Sequence, residues 1–202
     1  MNCTGERRRI QICNDYDVEV VGCYKLFDGR SVVSDAGGKI ITDKYYFFKC
    51  IHKTSYREEN IRCGNGAANH ICRLIGARMP TEFNPFYEPH IGGGGGGGVV
   101  HHQWHRTRRQ LHNAIMIFIT RYGTILQPNS AIFDIKARVE QNVENPVREG
   151  DVLAVNTILS AFHTTMSDIL NDFARTRTVR TFRFDTLEQI LFNRGVTTNN
   201  YS

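Results

Sequence analysis

Arg62-Cys-Gly-Asn-Gly-Ala-Ala-Asn-His-Ile-Cys-Arg-Leu-Ile-Gly76 divides the chain into two kinds of sequence. Ala68, Ile71, Cys72 and Ile75 fall at helical spacing, so the stretch predicts one short helix over about residues 65–75. Gly76 suits the left-handed residue that follows a last helical turn. Before this helix the chain reads as strands and tight turns. After it come a glycine tract and long helical patterns.

Upstream, Arg9 to Cys13 alternates, with Ile10 and Ile12 on one side, and predicts a half-buried strand. Val18 to Phe27 is rich in β-branched and aromatic residues. Asp28-Gly29 follows, a pair suited to a turn with positive φ at both central residues. Asp35-Ala-Gly-Gly38 predicts a second turn and Lys44 to His52 a further strand. Residues 9–52 thus predict an antiparallel meander of about four strands, which the helix at 65–75 covers. Thr54 to Asn60 reads as polar loop. Residues 79–91 hold Pro80, Pro85 and Pro89 and predict an extended connector.

Gly92 to Gly98 are seven consecutive glycines, expected to form an expanded loop or linker because glycine loses the most backbone entropy on ordering. Beyond them, Trp104, Leu111, Ile115, Phe118 and Tyr122 form a helical stripe, with Arg108 at the one step where an apolar residue is missing. Ala131 to Asn142 carries Ile132, Ile135 and Val139 at similar spacing. From Val152 through Val155, Leu159, Phe162, Met166 and Ile169 to Phe173 the steps alternate between 3 and 4, which predicts one long helix with Asp151 at its start. Thr178 to Phe184 alternates as a strand would. Asp185-Thr-Leu-Glu188 resembles a capping box, and Gly195 ends the helix it opens. Residues 196–202 are polar and predict a frayed tail. The expected fold is α+β: an N-terminal antiparallel β-meander with one covering helix, then a mainly helical C-terminal half, a bundle, after the poly-glycine loop. The expected units are 1–91 and 99–202, packed as one domain or joined by 92–98.

The bulk composition narrows the classes. At 202 residues, 41% hydrophobic and 22% charged, the chain has the makeup of a globular protein with a real core. No apolar run approaches the length of a membrane helix. Met1 to Arg9 carries positive charge with no apolar region behind it, which argues against a secretory signal. The six cysteines at 3, 13, 23, 50, 63 and 72 then read as free thiols, and the expected location is cytoplasmic.

Four constellations bear on function. Cys63, just before the helix at 65–75, would feel the positive end of its dipole, which favours thiolate; His70 or His52 would serve as its base. Gly64-Asn-Gly66 is a short glycine pair before a helix, but it lacks the third glycine of a dinucleotide fingerprint and the lysine of a P-loop. Cys50, His52, Cys63 and His70 lack the paired spacing of a zinc knuckle, and His101 with His105 lacks the glutamate of a metalloprotease helix, so neither metal nor cofactor is expected. The fourth is basic and aromatic. Residues 99–123 and 175–183 each hold four arginines and no acid. Arg106, Arg108, Arg109, Arg180 and Arg183, interleaved with Trp104, Phe182 and Phe184, are the candidate contacts to nucleic acid or to an acidic protein. The expected function is that of a small cytoplasmic binding or accessory protein; the alternative is a Cys-His enzyme built on Cys63.

Overall fold

The computed structural model describes residues 1–86 and 104–202. The expectations at Tyr87, Pro89, Gly92–Gly98, His101 and His102 lie outside the described residues. The fold is α+β, with a mixed sheet and helices in the N-terminal part and a helical C-terminal half. The chain divides into two compact units, Met1–Asn84 with Tyr122–Ser130, and Pro85–Arg121 with Ala131–Ser202.

The N-terminal unit opens with α1 (Glu6–Asp15), followed by β1 (Tyr16–Lys25), β2 (Val32–Val33), β3 (Ile40–Ile41), β4 (Lys44–His52), β5 (Glu58–Cys63), α2 (Asn65–Leu74) and β6 (Glu82–Phe83). The main sheet has the order β5-β4-β1-β6. β1 and β5 flank β4 antiparallel, while β6 joins β1 in parallel. The Asp28-Gly29 turn is present, with φ of 58 and 67°. It does not fold β1 onto the next strand, however: β2 pairs with β3, and β1 takes β4 as its partner.

Two local expectations are corrected here. Residues 9–13 are helical rather than extended. Only Ile12 of α1 is buried, and Ile10 is 43% exposed, so a single inward residue carried the apparent alternation. The second correction is β5, which takes up the last three residues of the stretch read as loop, Glu58 to Asn60. Asn60, Ile61 and Cys63 are its buried residues, and the two acids that open it masked the strand. The helix that opened the sequence reading forms as expected. Ile71 and Cys72 are buried, and Gly76 has φ 67°. The Gly76 and Ala77 amides return to the Arg73 and Cys72 carbonyls at 3.3 and 2.9 Å, a Schellman closure. Ile12, Ala68, Ile71 and Cys72 meet Cys23, Tyr46, Phe48, Cys50, Ile61 and Cys63 in one core cluster.

β1 carries an irregularity between Val20 and Gly22, where an extra residue bends the strand. Gly22 has φ 156°, and a Cβ there would lie 2.9–3.1 Å from the outer atoms of the Tyr24 ring. That ring is fully buried, and its hydroxyl donates to the Val21 carbonyl at 3.3 Å, so it has nowhere to go. Gly22→Ala is expected to destabilise the N-terminal unit by about 1–3 kcal/mol, read as a lowered urea midpoint. An unchanged midpoint would mean the bulge tolerates a side chain.

The second unit contains α3 (Arg106–Tyr122, through Arg121), α4 (Ala131–Val139), α5 (Glu149–Ala161), α6 (Met166–Ala174) and α7 (Asp185–Asn193). α3 is buried on every side from Ala114 to Thr120. The pattern from Val152 to Phe173 forms two helices, not one. Its apolar residues are buried as expected, save Phe162. The break is local: His163 has φ 50°, and the His163 and Thr164 amides close the end of α5 on Ser160 and Leu159 at 2.9 and 3.2 Å. Thr165 and Asp168 then form a reciprocal capping box that starts α6. Asp151 lies inside the first turn of α5, where it accepts from Arg138 at 2.6 Å, rather than at the cap.

Residues 178–184 form no strand; among the described residues their one sheet-like contact is the bridge between Phe86 and Val179. Asp185 is the first residue of α7 and caps nothing with its side chain. The expected frayed tail is also corrected. Asn200 is 7% and Tyr201 2% exposed. The Asn200 side-chain amide donates to the Asn156 carbonyl and the Ser160 hydroxyl at 3.0 and 2.6 Å, and its carbonyl accepts from the Met166 amide at 2.8 Å.

Candidate functional site

The arginines of the second unit separate by what their guanidinium groups touch. Arg108 is the extreme case. It is 8% exposed, and its Nε donates to the Asn145 carbonyl at 2.7 Å. Its Nη1 donates to the carbonyls of Arg138, Val139 and Gln141 at 3.0, 2.9 and 2.6 Å, and its Nη2 to that of Pro146 at 3.0 Å. Two of these are the last carbonyls of α4, the negative end of its dipole. The side chain is thus a remote cap for α4 and a centre around which residues 138–146 turn. It offers nothing to a phosphate.

Arg106 opens α3 and pairs with Asp185 of α7, both groups being more than half exposed. An ion pair so solvated contributes little to stability and exchanges readily for another anion. Arg109, exposed on α3, lies three residues further on and so on the same side as Arg106. Between α6 and α7 the chain runs without helix or strand, and Arg175, Arg177, Arg180 and Arg183 are all exposed along it. Arg177 lies over the Phe86 ring at 5.5 Å and Arg180 over Phe182 at 5.8 Å. A guanidinium over an aromatic ring is attracted by the negative face of the ring. Arg175 reaches Asp172 at 3.7 Å, at 79% side-chain exposure. Arg183 and Arg106 line one cleft of about 440 Å³ with Phe182, Asp185, Glu188 and Tyr201. Its two acids leave that cleft mixed in charge, whereas the run from 175 to 183 contains none.

No family model, curated protein or solved structure matches the chain. Its chemistry is therefore read from its own geometry.

The cysteine-histidine candidates lie in the N-terminal unit. Cys63 ends β5, just ahead of Gly64, the N-cap of α2, and is fully buried. Its thiol is pushed well up from the ordinary cysteine range, first by its hydrogen bond with Cys3 and then by burial. His70 accepts at Nδ1 from Arg9 Nε at 2.8 Å, which places its proton on Nε2 and its acceptor face on a cation. His52 spends Nδ1 on the amides of Thr54 and Ser55 at 3.3 and 3.2 Å. The structure thus gives each candidate base a partner other than Cys63. Gly64-Asn-Gly66 likewise has a structural use, with Asn65 Oδ1 accepting from the Tyr46 hydroxyl at 3.1 Å. Burial pushes the Cys50 thiol up to about 12 and raises Cys72. No group of three or more His, Cys, Asp or Glu side chains among the described residues is placed to hold a metal ion.

Sequence reasoning missed two features. Phe86 serves Arg177 as a platform across about ninety residues of sequence, and no local pattern marks that pair. Arg108 had a visible sign: it stands in the apolar stripe of its helix.

Proposed function

We propose that the protein is a non-enzymatic nucleic-acid-binding module of the cytoplasm, taking single-stranded RNA or DNA along residues 175–183. The observation that carries this reading is the acid-free exposed run of Arg175, Arg177, Arg180 and Arg183, two of them placed over phenylalanine rings. Guanidinium groups neutralise phosphates, and neighbouring aromatic faces accept unpaired bases without sequence preference. Arg106 and Arg109 extend the positive surface along α3. The cytoplasmic assignment draws on six unpaired thiols, which a reducing compartment preserves. Among the described residues no helix is long and apolar enough to cross a membrane.

Fluorescence anisotropy with a labelled single-stranded oligonucleotide tests this. Four neutralised phosphates predict a log–log salt slope near −3, at about 0.7 per phosphate on a single strand. The doubly substituted Arg180→Ala, Arg183→Ala protein should bind with roughly half that slope. Absence of binding at low salt, or a double variant indistinguishable from the parent, rejects the reading.

A further inference from the structure

All six cysteines lie in the N-terminal unit. Cys3, Cys23, Cys50, Cys63 and Cys72 share one buried cluster, and Cys13 packs against it. Two of these thiols are brought together by the way the chain begins. Residues 1–3 are laid beside β5: the terminal amine donates to the Asn60 carbonyl at 2.9 Å and the Cys3 amide to the Asp35 carbonyl at 2.8 Å. Asp35 is itself locked to β5, its amide donating to the Arg62 carbonyl at 2.8 Å and its carboxylate accepting from the Arg62 amide at 2.7 Å. This scaffold brings Cys3 alongside the end of β5, and Cys3 and Cys63 are buried in the same cluster.

We infer that Cys3 and Cys63 form a redox couple that closes to a disulfide on exposure to peroxide, fastening the N-terminal segment to the end of β5. Both residues lie in one buried cluster, and the backbone that carries Cys3 is tied through Asp35 to Arg62, the residue before Cys63. Their protons are unequally held. The interaction with Cys63 lowers Cys3 against the opposing effects of burial and of the Asp35 carboxylate, and the Arg9 guanidinium, which also donates to the Cys3 carbonyl at 3.2 Å, lowers it further. Cys63 is raised by the same interaction. Cys3 is the attacking thiolate and Cys63 the resolving thiol.

The steps balance. The Cys3 thiolate attacks one oxygen of hydrogen peroxide, forming Cys3 sulfenic acid and releasing hydroxide. The Cys63 thiol then attacks that sulfur, forming the S–S bond and releasing water. Two protein thiols are oxidised and one peroxide is reduced. Both sulfurs are fully buried, so peroxide enters when residues 1–4 open locally. That segment has neither helix nor strand and joins α1 through Gly5 at φ 77°.

The experiment uses the full chain, treated with hydrogen peroxide, alkylated in denaturant and mapped by mass spectrometry of its peptides. The expected product links Cys3 to Cys63 and reverts with dithiothreitol. Cys63 and Cys72 share the tryptic peptide 63–73, so the Cys72→Ser protein must retain the link, and the Cys63→Ser protein must lose it. In the oxidised protein, proteolysis within residues 1–9 should slow several-fold. A link from Cys3 to any other cysteine, or oxidation elsewhere while Cys3 and Cys63 remain free thiols in the parent chain, overturns the inference. Neither result depends on a substituted protein folding, nor on nucleic-acid binding.

Discussion

Arg108→Ala is expected to lower the stability of the C-terminal unit by about 2–4 kcal/mol, the cost of several charge-assisted hydrogen bonds lost together. The guanidinium reaches five carbonyls, and deleting it leaves those oxygens without their shared donor, the Val139 carbonyl in a buried setting. Each unmet buried acceptor costs about 1–3 kcal/mol, softened where water enters. Arg108→Lys should recover little. An ammonium on a single stem carries three donors that cannot span carbonyls from Arg138 to Pro146. Urea denaturation followed by helical circular dichroism measures both. Arg109→Ala, one residue away and exposed, is the control and should stay within about 0.5 kcal/mol. A loss below that value for Arg108→Ala would mean the carbonyls are satisfied without it.

Tyr201→Ala should cost a similar amount, about 3–5 kcal/mol, as for other large buried aromatics. The Tyr201 hydroxyl donates to the Val152 carbonyl at 2.7 Å, and its ring lies 6.2 Å from that of Phe184. The preceding Asn200 joins α5 to the start of α6 through Asn156, Ser160 and Met166. Losing the ring therefore also loosens the polar clasp beside it. Tyr201→Phe separates the contributions: keeping the ring and losing one hydrogen bond should cost about 1 kcal/mol. Thermal unfolding of the three proteins ranks them, and an alanine variant as stable as the parent would show that the tail is a passenger.

The candidate site was legible where exposure follows from composition alone. Burying four arginines in nine residues with no acid among them is costly, and Arg175, Arg177, Arg180 and Arg183 lie exposed. Arg106 and Arg108 could not be told apart by charge, although they fare oppositely. What separated them was phase on the helix, since Arg108 occupies the stripe that faces the core and Arg106 does not. Cys63 shows the reverse lesson. Its place ahead of a helix was read correctly, but the dipole argument omitted the surroundings: a buried sulfur beside Cys3 is harder, not easier, to ionise.

By itself, the sequence determined the elements whose signals are local. Periodicity placed α2, α4 and the body of α3, β-branched and aromatic runs placed β1 and β4, and glycines marked the ends at Gly76 and Gly195, because turn geometry and one-sided burial act over a few residues. Only the tertiary structure decided the rest. The pairing of β1 with β4, the two helices where one heptad ran, the burial of Tyr201, the carbonyl cage of Arg108 and the meeting of Cys3 with Cys63 join positions far apart in the chain. The helix from Asn65 to Leu74 belongs to both accounts: its residues dictate its form, and the sheet it covers decides that Cys63 before it lies in the dark.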